Sequence, residues 1–114
     1  MTFAIGSSTR GSATVFSIRG DIDLNTAPLL LEALDTLGGR AAEPVILDLS
    51  EVAFLDSSAL GALVGAEKQI SHAGGRLTVV CSDPKVLRIF TITRLTEVID
   101  VVDTLDAAAP PQAD

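Results

Sequence analysis

The sequence predicts an α/β domain that opens with a β-hairpin and continues as alternating helices and strands, with four to five strands and about four helices in all. Three observations lead there. Two runs of β-formers stand close together at the N-terminus. PVILDLS at 44–50 is nearly continuous in apolar β-formers, the pattern of a central strand covered on both faces. Helical periodicities between the later strands are opened by cap residues or proline and, for the first two, closed by glycine. The chain has 114 residues, 47% of them hydrophobic and 20% charged, which suits one domain with a full core. That domain is expected over residues 1–106, with 107–114 as a flexible C-terminal tail.

Taken in order, TFAI (2–5) and TVFSIRG (14–20) read as the hairpin strands, with the polar stretch GSSTRGSA between them as the connection. Asn25 and Thr26 are N-cap candidates, Pro28 fits a first helical turn, and Leu30, Ala33, Leu34 and Leu37 share one face before Gly38 and Gly39. The strand at 44–50 follows. A second helix starts at Asp56, Ser57 and Ser58 and runs to about His72, where Ala73-Gly74-Gly75 ends it. RLTVVCS is a further buried strand. SDPKVLRIF has a polar cap, an early proline and apolar Val86, Leu87, Ile89 and Phe90, so it reads as a third helix. EVIDVV is a last short strand and DTLDAAA a brief fourth helix.

Charge and composition narrow the partners. The net charge is -7, from 15 acidic and 8 basic residues, with neither Trp nor Tyr, which disfavours nucleic acid. No Lys/Arg run suited to an anionic membrane is present. The uncharged residues 57–66 are too short to cross a bilayer, and no signal-like start is seen. Cys81 is the single cysteine; it reads as a small core hydrophobe, with no internal disulfide to form. A cytoplasmic protein that engages protein partners or small ligands is the expectation.

Right-handed crossovers place the turns that follow successive parallel strands at one end of the sheet. GDIDLN (20–25) and LDSSAL (55–60) therefore share that end, bringing Asp21, Asp23 and Asp56 to the two serines, where open α/β sheets keep their functional loops. Ser and Asp are favoured N-caps, so Asp56 or Ser57 accounts for one residue of the three. At least one hydroxyl then has no capping task. A step of about 100° per residue sorts the second helix into two faces. Leu60, Leu63 and Val64 face the sheet; Ser58, Gly61, Ala62, Gly65 and Gln69 form a strip with little side-chain bulk opposite. Such a strip serves either close approach of a partner or tight packing under a neighbouring helix. Glu67 fits poorly, since it falls on the apolar side. The three aspartates read first as caps and turn formers rather than as a cation site, and His72 as a charge near a helix C-terminus. His72 lies four turns beyond Ser58, and neither a GxSxG elbow nor a GxxxxGK[ST] loop occurs, so no catalytic machinery and no cofactor are expected.

GDIDLNTAP, VILDLSEVAFLDSSALGALVGAEKQISHAGGRLTVV and DPKVLRIFTITRL resemble the STAS domain of bacterial anti-sigma factor antagonists, over roughly residues 3–105. The resemblance implies a mixed sheet with helices packed mainly on one side. It implies an anti-sigma factor that is also a serine protein kinase as partner, and a phosphoserine phosphatase beside it. The motif match places the phosphoacceptor on Ser58, with Ser57 as the alternative, and sets Asp23 on the family's acidic position beside it. Asp21, Asn25, Asp56, Ser57, Ser58, Gly61, Ala62 and Gly65 complete the expected partner surface. Two departures stand out: Ala59 where the family has Gly after the phosphorylated serine, and Arg94 where it has Gly before a Leu in a late loop.

Three function classes follow. The first is an anti-sigma factor antagonist switched off by phosphorylation of Ser58. The second is a STAS module of another assembly, a stress-signalling scaffold or lipid-transport complex, with Ser58 unmodified. The third, a small-ligand binder or a receiver-like domain, lacks an acidic pocket paired with a Lys on a late strand.

Overall fold

The computed structural model describes residues 3–37 and 43–108. Gly38 and Gly39, expected to end the first helix, lie outside the described residues, as do residues 109–114 of the expected tail. Five strands, β1 (Ala4–Arg10), β2 (Ala13–Arg19), β3 (Pro44–Glu51), β4 (Arg76–Val80) and β5 (Asp100–Val102), form one sheet in the order β1-β2-β3-β4-β5. β1 is antiparallel to β2 and the remaining pairs are parallel, so the sheet is mixed. The helices are α1 (Ala27–Asp35), α2 (Ser57–His72), α3 (Pro84–Ile92) and α4 (Leu105–Ala108), with a 3-10 turn at Leu95–Glu97.

The hairpin differs from the sequence reading. GSSTRGSA was expected to connect the strands, but β1 runs on to Arg10 and only Gly11 and Ser12 lie between Arg10 and its partner Ala13. Gly11 has φ +63, as the first central residue of a two-residue type II′ hairpin requires. Gly and Ser have weak strand propensity, yet the ladder to β2 supplies the hydrogen bonds that propensity does not.

Sequential strand order explains the layering. Each parallel connection crosses in the same right-handed sense, so α1, α2 and α3 all fall on one face. There Leu30, Leu63, Val86 and Phe90 meet Val45, Leu47 and Val79 in one buried cluster. The other face carries a smaller cluster, Ala13, Val15, Ile46 and Val80, under Leu105 and Ala108 of α4. An ion pair between Arg10 and Asp106 fastens α4 there. β3 is thus covered on both faces only near its start; further along, Asp48 is half-buried and Ser50 exposed.

Candidate functional site

The loops after β2 and β3 meet at one end of the sheet, as the topology predicts. Ile22 and Leu55 form an isolated parallel bridge. The Ile22 N–H donates to the Phe54 carbonyl at 3.0 Å and the Asp56 N–H to the Ile22 carbonyl at 3.2 Å. Both residues of the bridge are buried, so backbone pairing continues past the named strands and holds GDIDLN against LDSSAL.

Within the first loop Asp23 is a hub. Its Oδ1 accepts from the Asn25 N–H at 2.9 Å and the Thr26 N–H at 3.0 Å, and its carbonyl accepts from the Ala27 N–H at 2.8 Å. The Thr26 hydroxyl accepts from the Asp23 N–H and donates to the Asp21 carbonyl, both at 2.8 Å. Chiefly the Thr26 N–H, with help from Asn25 and the Thr26 hydroxyl, holds the Asp23 carboxyl below its ordinary value, against the opposing effect of desolvation. Thr26 occupies the N-cap position of α1 without a side-chain cap bond, and Pro28 sits in its first turn. Of the two candidates Thr26 holds the cap position, but through its backbone: its carbonyl accepts from the Leu29 and Leu30 N–H groups, while the Asp23 carboxylate fixes the N–H groups of Asn25 and Thr26 just before the helix.

Asp56 caps α2. It has extended backbone, and its Oδ1 accepts from the Ala59 N–H at 3.1 Å. That choice, left open between Asp56 and Ser57, falls to the longer reach of the carboxylate at the residue before the first helical position. Ser57 is exposed and Ser58 half-buried, and neither hydroxyl has a hydrogen-bond partner among the described residues. Asp21 is half-buried and Asn25 exposed. With Asp23 and Asp56 spent on backbone donors, the aspartates do not converge on a cation position; among the described residues no such cluster occurs.

The face of α2 needs one correction. Ala59, Ala62, Leu63, Ala66 and Ile70 are its buried residues, so Ala62 is not part of an open strip, and Leu60 and Val64 are only half-buried. The helix is rotated because it packs against α1 as well as the sheet, and alanines allow the close approach. Glu67, which fitted poorly, is then half-buried at the margin. Gly61 and Gly65 do face outward: a Cβ added at either meets nothing within 4 Å. Ser58, Gly61 and Gly65 thus form an open line leading from the helix start.

Two residues missed by the sequence reading join this end. Leu24, in the loop after β2, is 72% exposed, and Phe54, whose carbonyl takes part in the bridge, is 49% exposed. An apolar side chain beside GDID and another before LDSS were the available signals in the sequence, and neither was singled out there. Cys81 is buried, and burial raises its thiol above the ordinary value. No helix among the described residues is long and apolar enough to cross a membrane.

The STAS domain family matches residues 5–108 of the chain. The chain is similar to the anti-sigma-B factor antagonist of Bacillus subtilis, 36% identical over 85 residues that make up 75% of this chain and 77% of that protein. It is 33% identical to the anti-sigma-B factor antagonist of Listeria monocytogenes over 84 residues, 74% of each. A crystal structure of an anti-sigma factor antagonist from Mycobacterium paratuberculosis superposes with a TM-score of 0.84 at 28% identity, covering 94% of this chain and 91% of that one.

Proposed function

The chain belongs to the STAS domain family, and from that premise we propose that it is an anti-sigma factor antagonist whose binding is ended by phosphorylation of Ser58. The observation that carries this reading is the division of labour at the start of α2. Asp56 takes the cap, which leaves the Ser58 hydroxyl half-exposed and unengaged beside the open Gly61–Gly65 line. Similarity to two proteins named as anti-sigma-B factor antagonists supports the class of partner.

The chemistry asks little of this chain. A serine kinase supplies its own base and metal-bound nucleotide, so the substrate need only present a reachable hydroxyl. The anti-sigma factor itself would be that kinase, and a phosphoserine phosphatase would restore binding. Docking would use Asn25, Leu24 and Phe54 as a rim around Ser57, Ser58, Gly61 and Gly65. Asp21, Asp23 and Asp56 give this end its negative charge. A phosphate adds about -1.5 to -2 charge. In water the helix N-terminus favours that charge by about 0.3 to 1 kcal/mol while the aspartates oppose it. Against a docked partner the charge is desolvated and its oxygens need room, so the penalty rises to several kcal/mol, on the order of 2 to 5.

Two measurements test this. Mass spectrometry after incubation with the cognate anti-sigma kinase and ATP is expected to show one phosphate on Ser58, absent from Ser58→Ala. Calorimetric titration is expected to give Ser58→Ala wild-type affinity and Ser58→Asp an affinity lower by orders of magnitude. Equal affinities of the two variants would sink the switch, and an unmodified Ser58 would move the chain to the second class, a STAS module in another assembly.

A further inference from the structure

β1 is an edge strand that nothing among the described residues covers. It pairs only with β2, in unbroken register from Ala4 opposite Arg19 to Arg10 opposite Ala13. Arg10 and Ala13 flank a two-residue turn and so form a hydrogen-bonded pair. Alternation along an antiparallel ladder then leaves the N–H and C=O of Ile5, Ser7 and Thr9 pointing away from β2. Proteins usually blunt such an edge with proline, a bulge or an inward charge. The stretch AIGSSTR has none of these up to Arg10, and Arg10 is tied to Asp106.

Beside this edge runs a groove of about 430 Å³ between β1 and α1, lined by Phe3, Ile5, Leu29, Glu32, Ala33 and Thr36. Leu29 is 45% exposed. A strand added on the free side of β1 would lie about 4.8 Å from it.

We propose that the β1 edge is a self-association surface, which joins two copies of this chain through antiparallel β1–β1 pairing into one continuous sheet. Charge selects the second copy as occupant. All 15 acidic residues lie beyond residue 20, so residues 1–20 hold only Arg10 and Arg19 in a chain of net charge -7. Glu32 is the one acidic residue lining the groove beside the edge, so β1–β1 pairing sets no acidic side chain against another along the strands themselves. With the two-fold axis at Ser7, Ser7 faces Ser7 of the second copy, Ile5 faces its Thr9 and Ala4 its Arg10. No like charges are opposed, and the outward groups of Ile5, Ser7 and Thr9 all find partners. The interface is isologous, hence closed at two copies. It uses neither Ser58 nor the Gly61–Gly65 line, so it stands apart from the function proposed above.

Sedimentation of the full chain tests it. A monomer–dimer equilibrium with a dissociation constant on the order of 10 to 100 μM is expected, as suits a small interface, and association tightens with salt because the repulsion between two acidic bodies is screened. Ser7→Glu and Ser7→Lys each place like charges across the axis while leaving β1–β2 pairing intact, and each alone should be monomeric. Their equimolar mixture should recover the dimer. Monomeric wild type at roughly ten times that concentration range overturns the proposal. So does a wild-type dimer that either Ser7 variant leaves unchanged, or a mixture that stays monomeric; circular dichroism of each variant verifies the fold.

Discussion

Asp56 and Ser57 are neighbours with different duties, and substitution separates them. Asp56→Ala removes the bond to the Ala59 N–H and is expected to lower stability by about 0.5 to 2 kcal/mol. Ser57→Ala removes an exposed hydroxyl without a partner and is expected to stay within about 0.5 kcal/mol of wild type; urea denaturation of both variants checks the pair. Asp23 gives a pH dependence. Its folded carboxyl titrates below the unfolded one, so its contribution is complete above the unfolded value of about 3.9 and is lost as pH falls from there through the folded value. Asp23→Asn should therefore flatten the acid limb of stability as pH falls below about 4, as followed by acid titration of the far-UV signal. Arg94 carries the one positive φ outside glycine among the described residues, +62, just after α3, where its N–H reaches the Thr91 carbonyl. A left-handed backbone costs an L side chain about 1 to 2 kcal/mol. Arg94→Gly relieves that and loosens the unfolded chain, for a net gain of up to about 1 kcal/mol, visible as a raised Tm. The resemblance drawn from the sequence expected Gly here, and the left-handed backbone is one that Gly adopts without a Cβ penalty.

At the level of single elements, α2 shows how far sequence patterning reaches. Its start, its end near His72 and the outward direction of Gly61 and Gly65 were legible, because caps and glycines act locally. Its rotation was not. The apolar count favoured Leu60 and Val64 as the buried line, whereas contact with both α1 and the sheet selects Ala59, Ala62 and Ala66, whose small size a hydrophobicity pattern undervalues. β1 was misjudged for the converse reason: its Gly, Ser and Thr are poor local evidence for a strand whose existence depends on the ladder to β2. The outward glycines invite a direct test. Gly61→Gln and Gly65→Gln meet open space and replace a poor helix former by a good one, so thermal melts should hold steady or rise, by up to about 1 kcal/mol each. Affinity for the anti-sigma partner should nevertheless fall at least tenfold, about 1.4 kcal/mol; wild-type affinity in titration would remove this line from the interface.

For the molecule as a whole, α/β alternation made the fold legible, and right-handed crossovers made the meeting of the two loops legible before any coordinates. What covers each side of the sheet was not readable, since α4 reaches the second face through Arg10 and Asp106, a pairing 96 residues apart that no local pattern signals. The opposed electrostatic effects at Ser58 have a global counterpart. Phosphorylation would take the net charge from -7 to roughly -9, yet Ser58→Ala and Ser58→Asp should both melt within a few degrees of wild type, about 1 kcal/mol or less, because neither touches the cap or the core. Differential scanning calorimetry decides it, and a large loss in Ser58→Asp would mean that unfolding, not charge at a contact, ends the binding. The bridge between Ile22 and Leu55 has a thermodynamic consequence of its own. It is made with no partner present, so the entropy of ordering these two loops is lost when the chain folds and not when a complex forms. A partner meets a preorganised surface, and association should run as a single rigid-body encounter, with a rate that climbs linearly with partner concentration and shows no plateau from a slow isomerisation.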